Sequence, residues 1–404
     1  MDISIKEVKQ VVKEVIAEIQ AIRNHLHQYP EPSFKEFNTS AFITEKLSSW
    51  GISPVTGMAT TGLVVLIEGN NPSLRTVALR ADMDALPINE LNDVPYKSVN
   101  EGFMHACGHD VHTACLLGAV KVLHQLRHTF NGSVKAIFQP GEELLPGGAS
   151  LMIAAGALKN PEVNVIFGQH VFPDLPVGKV GFRSGQYMAS CDEIYMTIKG
   201  VGGHGAMPHR CVDPVLISAH LIIALQQVVS RTINPIIPAV LTIGKIESVG
   251  GATNVIPDQV LLKGTFRTLD EVERFAAHEK IRKIAFAIVE GMGGELDLRL
   301  EVGYPALVND TEVTDLAKRS AIAFLGAENV VDIPIRMTAE DFSYYSQVVP
   351  SCFYRLGTAS PDGKFNHPVH TPYFDIDKDA LEVGVGIFAW IALKNLDQPV
   401  KNER

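Results

Sequence analysis

The chain has 404 residues, 46% of them hydrophobic, and a formal charge of −10. That length and apolar fraction provide a large core and room for two domains or more. The acidic balance, with no block of Lys or Arg, argues against a nucleic-acid or anionic-membrane surface as the main partner.

In chain order, residues 1–31 mix acidic and basic side chains and lack the apolar core of a targeting signal. Val8, Val11, Val12, Val15, Ile16, Ile19, Ile22 and Leu26 recur at helical spacing, so the segment is expected to form an amphipathic helix that stops before Pro30. No apolar run is expected to approach the roughly 20 residues needed to cross a bilayer. The five cysteines, at 107, 115, 191, 211 and 352, are odd in number and irregularly spaced. They suit a reducing compartment better than a disulfide framework, and a soluble, cytoplasmic protein without a membrane partner is the expectation.

From about residue 60 to 182, β-rich runs alternate with helical patterns. GLVVLIEG, TVALRAD, SVKAIFQPG and VNVIFGQHV are predicted strands, and the segments near 111–128 and 147–158 predicted helices. This alternation predicts an α/β domain with a largely parallel or mixed sheet. Binding groups in such sheets gather beyond the carboxyl ends of strands, and three predicted strands end in chemistry: Asp82 and Asp84, Glu142 and Glu143, and His170.

A second unit begins near Gly185. CDEIYMTIKG, AVLTIGKIES, QVLLKGTFRT and ELDLRLEV are predicted strands, and DPVLISAHLIIALQQVVSR and EVERFAAHEKIRKIAFAIVEGM predicted helices. The order β-α-β-β-α-β is that of a ferredoxin-like sandwich. After Gly303 the polar motifs resume at TAEDFSYY and NHPVHTPYFDID. The expected architecture is therefore a catalytic domain of residues 1–185 and 302–404, interrupted by an inserted module of residues 186–301.

In HACGHD, Cys107 and His109 are two apart and can face the same side of an extended segment or turn. Thiolate and imidazole together suit zinc and other transition metals, although a buried small cysteine fits the same residues. In FQPGEE, one of the adjacent carboxylates Glu142 and Glu143 can bind a cation while the other reaches water. A solvated acidic turn is the plain alternative. His170 by itself resembles a core histidine; in NHPVHTPYFD one or both of His367 and His370 fit as ligands, and His367 equally fits as a surface residue. Asp82 and Asp84 are either ligands or acceptors for a ligand histidine. Sulfur, imidazoles and carboxylates nevertheless all fall on strand ends or loops of one predicted domain.

RADMDALPINE, HACGHDVHTA, FQPGEE, GQHV, GGHGAMPH, GGATNVIPD, EDFSYY and HPVHTPYF occur in that order. With this set the chain resembles, nearly end to end, the aminoacylase/carboxypeptidase-type metallo-amidohydrolases. Within them it is most similar to the branch of bacterial N-acyl-amino-acid amidohydrolases, hippurate hydrolases and plant auxin-conjugate hydrolases. The resemblance implies a mixed-sheet dinuclear-metallopeptidase domain with a ferredoxin-like lid. It also implies two divalent ions (Mn, Zn, Co or Ni) bound by Cys107, His109, Glu143, His170 and His370. Glu142 would be the general base and Asp84 a supporting carboxylate. Aminopeptidase-like branches carry a ligand histidine at the position of Asp82 and an aspartate between the metals. Here the match implies that Cys107 takes the bridging place and His109 supplies the displaced imidazole, which speaks against Asp82 as a ligand.

On the inserted module, the resemblance implies His204 as an oxyanion donor reaching across a dimer interface, with His209, Asn254 and Arg267 binding substrate. Read without it, His204 and His209 are polar turn residues and Arg267 a surface ion-pair partner. The glycines near 200–205 and 250–251 permit close backbone approach to a ligand. The expected activity is hydrolysis of N-acyl (acetyl, benzoyl or similar) amino acids by a homodimer or higher homo-oligomer. A dipeptidase or carboxypeptidase of the same family is the neighbouring reading. A thiol hydrolase using Cys107 and a non-catalytic binding protein are the readings from other classes.

Overall fold

The computed structural model describes residues 3–250 and 252–398, so Gly251 of the expected glycine pair lies outside the described residues. The chain divides into two compact units, one of residues 1–185, 308–334 and 341–404, the other of 186–307 and 335–340. The second crossing thus falls at 307/308 rather than 301/302, and a short later segment rejoins the inserted unit.

The first helix runs Ile5–Gln28, opened by a capping box in which Ser4 Oγ accepts from the Glu7 amide and Glu7 Oε2 accepts from Ser4 N at 2.8 Å. Its buried stripe is Val8, Val12, Val15, Ile19, Ile22 and Leu26, with Val11 and Ile16 at the margin. The stripe packs on helices His109–Gln125 and Ala380–Leu396. His109–Gln125 is buried on nearly every face, because it lies between that first helix and the sheet.

The sheet of the first unit has eight strands in the order Val55–Met58, Gly62–Glu68, Ser133–Gln139, Thr76–Asp82, Val165–Pro176, Ser351–Ala359, Val180–Phe182, Val330–Asp332. Thr76–Asp82 runs parallel to both of its neighbours, and Gly62–Glu68 antiparallel to Ser133–Gln139, so the sheet is mixed. Register brings the chemistry together. Asp82 pairs with Gln139, three residues before Glu142. Arg80 pairs with Gly168, so Asp82 and His170 each follow two residues later on adjacent strands. His170 does not end its strand as the sequence suggested: Ser351–Ala359 pairs alongside and carries the ladder on to Pro176.

The second unit is a four-stranded antiparallel sheet in the order Ala239–Ser248, Gln259–Thr268, Asp192–Lys199, Glu295–Val302. With helices Pro214–Gln227 and Glu271–Gly291 the chain order is β-α-β-β-α-β. Alternate residues Ile194, Met196 and Ile198 enter a core shared with Ile217, Leu221, Leu225 and Ile281. Asp213 and Asp270 cap the two helices, accepting from Val215 N and Glu273 N at 2.9 Å each. One sequence expectation needs correction here. The 19 residues Pro214–Thr232 are long and apolar enough, by length and composition, to cross a bilayer. Their buried positions, Ile217, Leu221, Leu225 and Val228, belong to this unit's core.

Candidate active site

Three chain segments meet beyond the carboxyl ends of the parallel strands: the turn before helix His109–Gln125, the loop after Ser133–Gln139, and the strand bearing His170. Gly108, at φ +81, makes the turn that sets Cys107 and His109 on the helix entrance. A fourth segment is stitched on where His370 N donates to Ala106 O at 2.8 Å. His370 itself has φ +63, an uncommon conformation that histidine tolerates better than most residues.

Cys107 Sγ lies 3.4 Å from His170 Nε2 and 3.3 Å from His370 Nε2. Glu143 Oε1 stands 3.3 Å from His370 Nε2 and 3.9 Å from His109 Nε2. The donor atoms fall into overlapping groups within 4.8 Å, Cys107–His109–His170 and Cys107–Glu143–His370, with Cys107 in both. A third group joins His109, Glu142 and Glu143. The five residues expected as ligands are thus brought together.

Hydrogen bonds assign each ring its free nitrogen. His170 Nδ1 donates to Val171 O at 2.8 Å, leaving Nε2 towards Cys107. Burial and the Arg355 charge hold His170 well below the usual histidine range, hence neutral. His109 Nδ1 is directed at Asp84 Oδ1 at 3.2 Å, and its buried Nε2 has no hydrogen-bond partner among the described residues. An unpartnered imidazole nitrogen beside a thiol and a carboxylate fits a bound divalent cation. Hydrogen bonds to Cys107 and Glu143 raise His370 to about 10. Burial and Glu143 push the Cys107 thiol up, the reverse of what activates a nucleophilic cysteine.

Asp84 is saturated with donors. Ser33 Oγ reaches Oδ2 at 2.6 Å, as does Glu143 N at 3.0 Å, and Glu142 N reaches Oδ1 at 3.1 Å. Against the cost of burial, His109 and these donors keep its carboxyl below the ordinary range. Asp84 therefore orients His109 and the Glu142–Glu143 backbone rather than offering an oxygen to a metal or substrate. Glu142 is buried, with Oε1 3.3 Å from the Asp341 amide. Asp82 is engaged by His112 Nδ1 at 2.6 Å and Arg80 Nη1 at 2.7 Å. His367 is exposed beside Tyr373, and His105 is buried.

The remaining expected residues lie in the second unit. His204 and Val255 pair in a short antiparallel ladder, where Gly205 N donates to Asn254 O at 2.8 Å. The structure brings His204 and Asn254 together on the surface, with exposed His209 in the following turn. Arg267 is half-buried near the far end of strand Gln259–Thr268, donating to Met337 O at 3.2 Å.

Sequence reasoning missed several supports. Arg80 joins Asp82 to Asp341 at 2.7 Å on each side. Asp341, within the EDFSYY motif, also accepts from Gln139 Nε2 and Ala149 N. Ser33 and Glu36 come from a segment to which no role had been given.

A mixed α/β sheet over which a thiol, three imidazoles and a carboxylate pair converge from a helix entrance, a strand and two loops defines a metal-dependent hydrolase. The model of peptidase family M20/M25/M40 matches residues 78–394, and the chain belongs to that family. It is 40% identical to N-acetyl-L-cysteine deacetylase of Bacillus subtilis, over 93% of this chain and 87% of the relative. It is 41% identical to N-acyl-L-amino acid amidohydrolase of Geobacillus stearothermophilus, over 76% and 82%. Among solved structures, a Bacillus subtilis dinuclear metal-binding peptidase of the M20 family superposes with a TM-score of 0.81 at 34% identity, covering 95% of this chain and 99% of that one.

Proposed function

We propose that the protein hydrolyses the amide bond of N-acyl amino acids with two divalent ions. Cys107, His109 and His170 would hold one, and Cys107, Glu143 and His370 the other. The observation that carries this reading is the pair of donor groups sharing Cys107, one fully buried and one opening to the surface at His370, with His109 Nε2 unpartnered among the described residues. Sulfur with neutral imidazole suits zinc, and the carboxylate leaves manganese, cobalt and nickel open. Ions bound there supply electrophilic polarisation of the scissile carbonyl and a lowered pKa for water.

The chain's own residues do the rest. Glu142 accepts the proton of the attacking water and returns it to the departing nitrogen, so one water yields a carboxylic acid and a free amino acid. Asp84 holds the Glu142 amide and the His109 ring, which keeps base and ligand in register. The names of the two bacterial relatives support N-acyl amino acids as the substrate class. The five cysteines, all unpaired, support a reducing, cytoplasmic setting.

His204 is assigned as oxyanion donor, and His209, Asn254 and Arg267 as substrate-binding residues. Gln259 and Arg267 are eight residues apart on one strand, and the separate His204–Val255 ladder precedes Gln259 in the chain. At ~3.3 Å per residue this is roughly 26 Å, too far for one small substrate to touch both ends. That separation is consistent with His204 and Arg267 of one chain contacting different substrates, as a homodimer with shared sites would require.

The test is hydrolysis of hippurate, N-acetyl amino acids and dipeptides, run beside metal analysis. Acyl amino acids should be cleaved, EDTA should abolish the activity, and Mn, Co, Zn or Ni should restore it. Glu142→Ala should retain its metal and lose about 10²- to 10⁴-fold in kcat. Turnover of dipeptides alone would replace the substrate class, and indifference to EDTA with sensitivity to alkylation would restore the thiol reading.

A further inference from the structure

The Gly141–Glu143 loop carries the proposed base, and its three consecutive backbone N–H groups are all spoken for by carboxylates. Glu142 N and Glu143 N donate to Asp84. Gly141 N donates at 2.9 Å to Oε1 of Glu36, a residue fully buried and far away in sequence. Phe34 N donates to the same oxygen at 2.9 Å, and Thr61 Oγ1 to Oε2 at 2.6 Å. Glu36 is therefore oriented at both oxygens before it meets the loop.

The neighbouring contacts repeat the fit. Gly141 has φ +61, and a Cβ there would stand 2.4 Å from atoms of the Phe34 ring. Phe34 itself has φ +63, a conformation costly for an aromatic residue unless the surroundings impose it. One residue earlier, Ser33 Oγ donates to Asp84 Oδ2. The 33–36 segment thus grips the loop twice, directly through Glu36 and indirectly through Ser33 and Asp84. Burial, the leading influence, and the Asp84 charge raise Glu36 to about 7 against the donors that hold it.

We infer that Glu36 is a positioning residue for the hydrolytic reaction: by binding the Gly141 amide it fixes the loop that aims the Glu142 carboxylate. This rests on the reading of Glu142 as the proton carrier. Without Glu36 the Gly141 N–H is left buried and unpaired, and the loop must shift to find another acceptor. Of the five proposed ligands, Cys107, His109, His170 and His370 lie off the loop, and Glu143, the one on it, keeps its amide bond to Asp84, so metal is expected to stay bound when the Gly141 end of the loop shifts.

The experiment compares Glu36→Ala, Glu36→Gln and Thr61→Val with wild type, measuring metal content, kcat and KM on the best acyl amino acid. Glu36→Ala should keep wild-type metal content and lose about 10- to 100-fold in kcat, with KM within about twofold, as expected for a misaimed base. Glu36→Gln keeps an amide oxygen for Gly141 N and should recover most of that loss. Thr61→Val, which removes a donor without changing shape, should lose a few-fold in kcat and decides the matter if Glu36→Ala does not fold. Wild-type kcat in Thr61→Val and in every Glu36 variant that folds would overturn the inference, as would metal loss in proportion to activity. A wild-type protein that cleaves no amide would instead sink the reading beneath it.

Discussion

His112 donates from Nδ1 to Asp82 Oδ1 across 2.6 Å, while its Nε2 accepts the Val171 amide at 2.9 Å. Because a backbone N–H can only donate, Nε2 is unprotonated and the ring is a single neutral tautomer with both nitrogens in use. Burial, the leading influence, also lowers its basicity. His112 and Asp82 are therefore excluded from metal ligation although they sit among the ligands. Metal analysis of purified variants checks this assignment. His112→Asn should retain two ions per chain, His370→Ala one, and Cys107→Ala, lacking the donor common to both groups, neither. Two ions in Cys107→Ala would remove the sulfur from the centre.

The Arg80 guanidinium is buried between Asp82 and Asp341 and also donates to Gln139 Oε1 at 2.9 Å. It is the cation that makes two fully buried carboxylates tolerable under the site. Arg80→Leu should destabilise the protein by about 3–5 kcal/mol, the usual loss when one member of a buried ion pair is removed. Urea denaturation of the metal-free protein reads this directly. A loss below about 1 kcal/mol, the level of an exposed pair, would show that the carboxylates do not depend on it.

The elements legible in sequence were those with a period or a punctuated end. The Val8–Leu26 stripe and the alternation in 192–199 announced one helix and one strand, because each has a dry face and a wet face. Ala380–Leu396 and Ser351–Ala359 were not anticipated: both are buried on nearly all sides, so no face was left to alternate. The ligand candidates were readable because Cys, His and Glu at strand ends are chemically conspicuous. Glu36 and Arg80 were not, since a carboxylate at 36 and its acceptor role at 141 are related only by folding.

Asp192 accepts from Arg274 Nε, His278 Nε2 and Gly303 N inside the second unit. Against burial, Arg274 and His278 hold its carboxyl below the ordinary range. A carboxylate with a depressed folded pKa contributes stability that is complete above its unfolded value, about pH 4, and lost as pH falls through the folded value. The gap in unfolding free energy between wild type and Asp192→Asn should therefore be widest at neutral pH and close progressively below about pH 4. Denaturation series across that window check it, and a gap independent of pH would contradict it.

A shared site makes a prediction that a self-contained one does not. Glu142→Ala and His204→Ala should each be inactive as homodimers. In a mixed dimer, the chain that keeps Glu142 receives an intact His204 from the Glu142→Ala partner, while the other site lacks both. Random pairing of equal amounts makes half the dimers mixed, each with one working site, so co-expression should recover about a quarter of the wild-type rate. If His204 served the site of its own chain, neither site in the mixed dimer would be complete and nothing would be recovered.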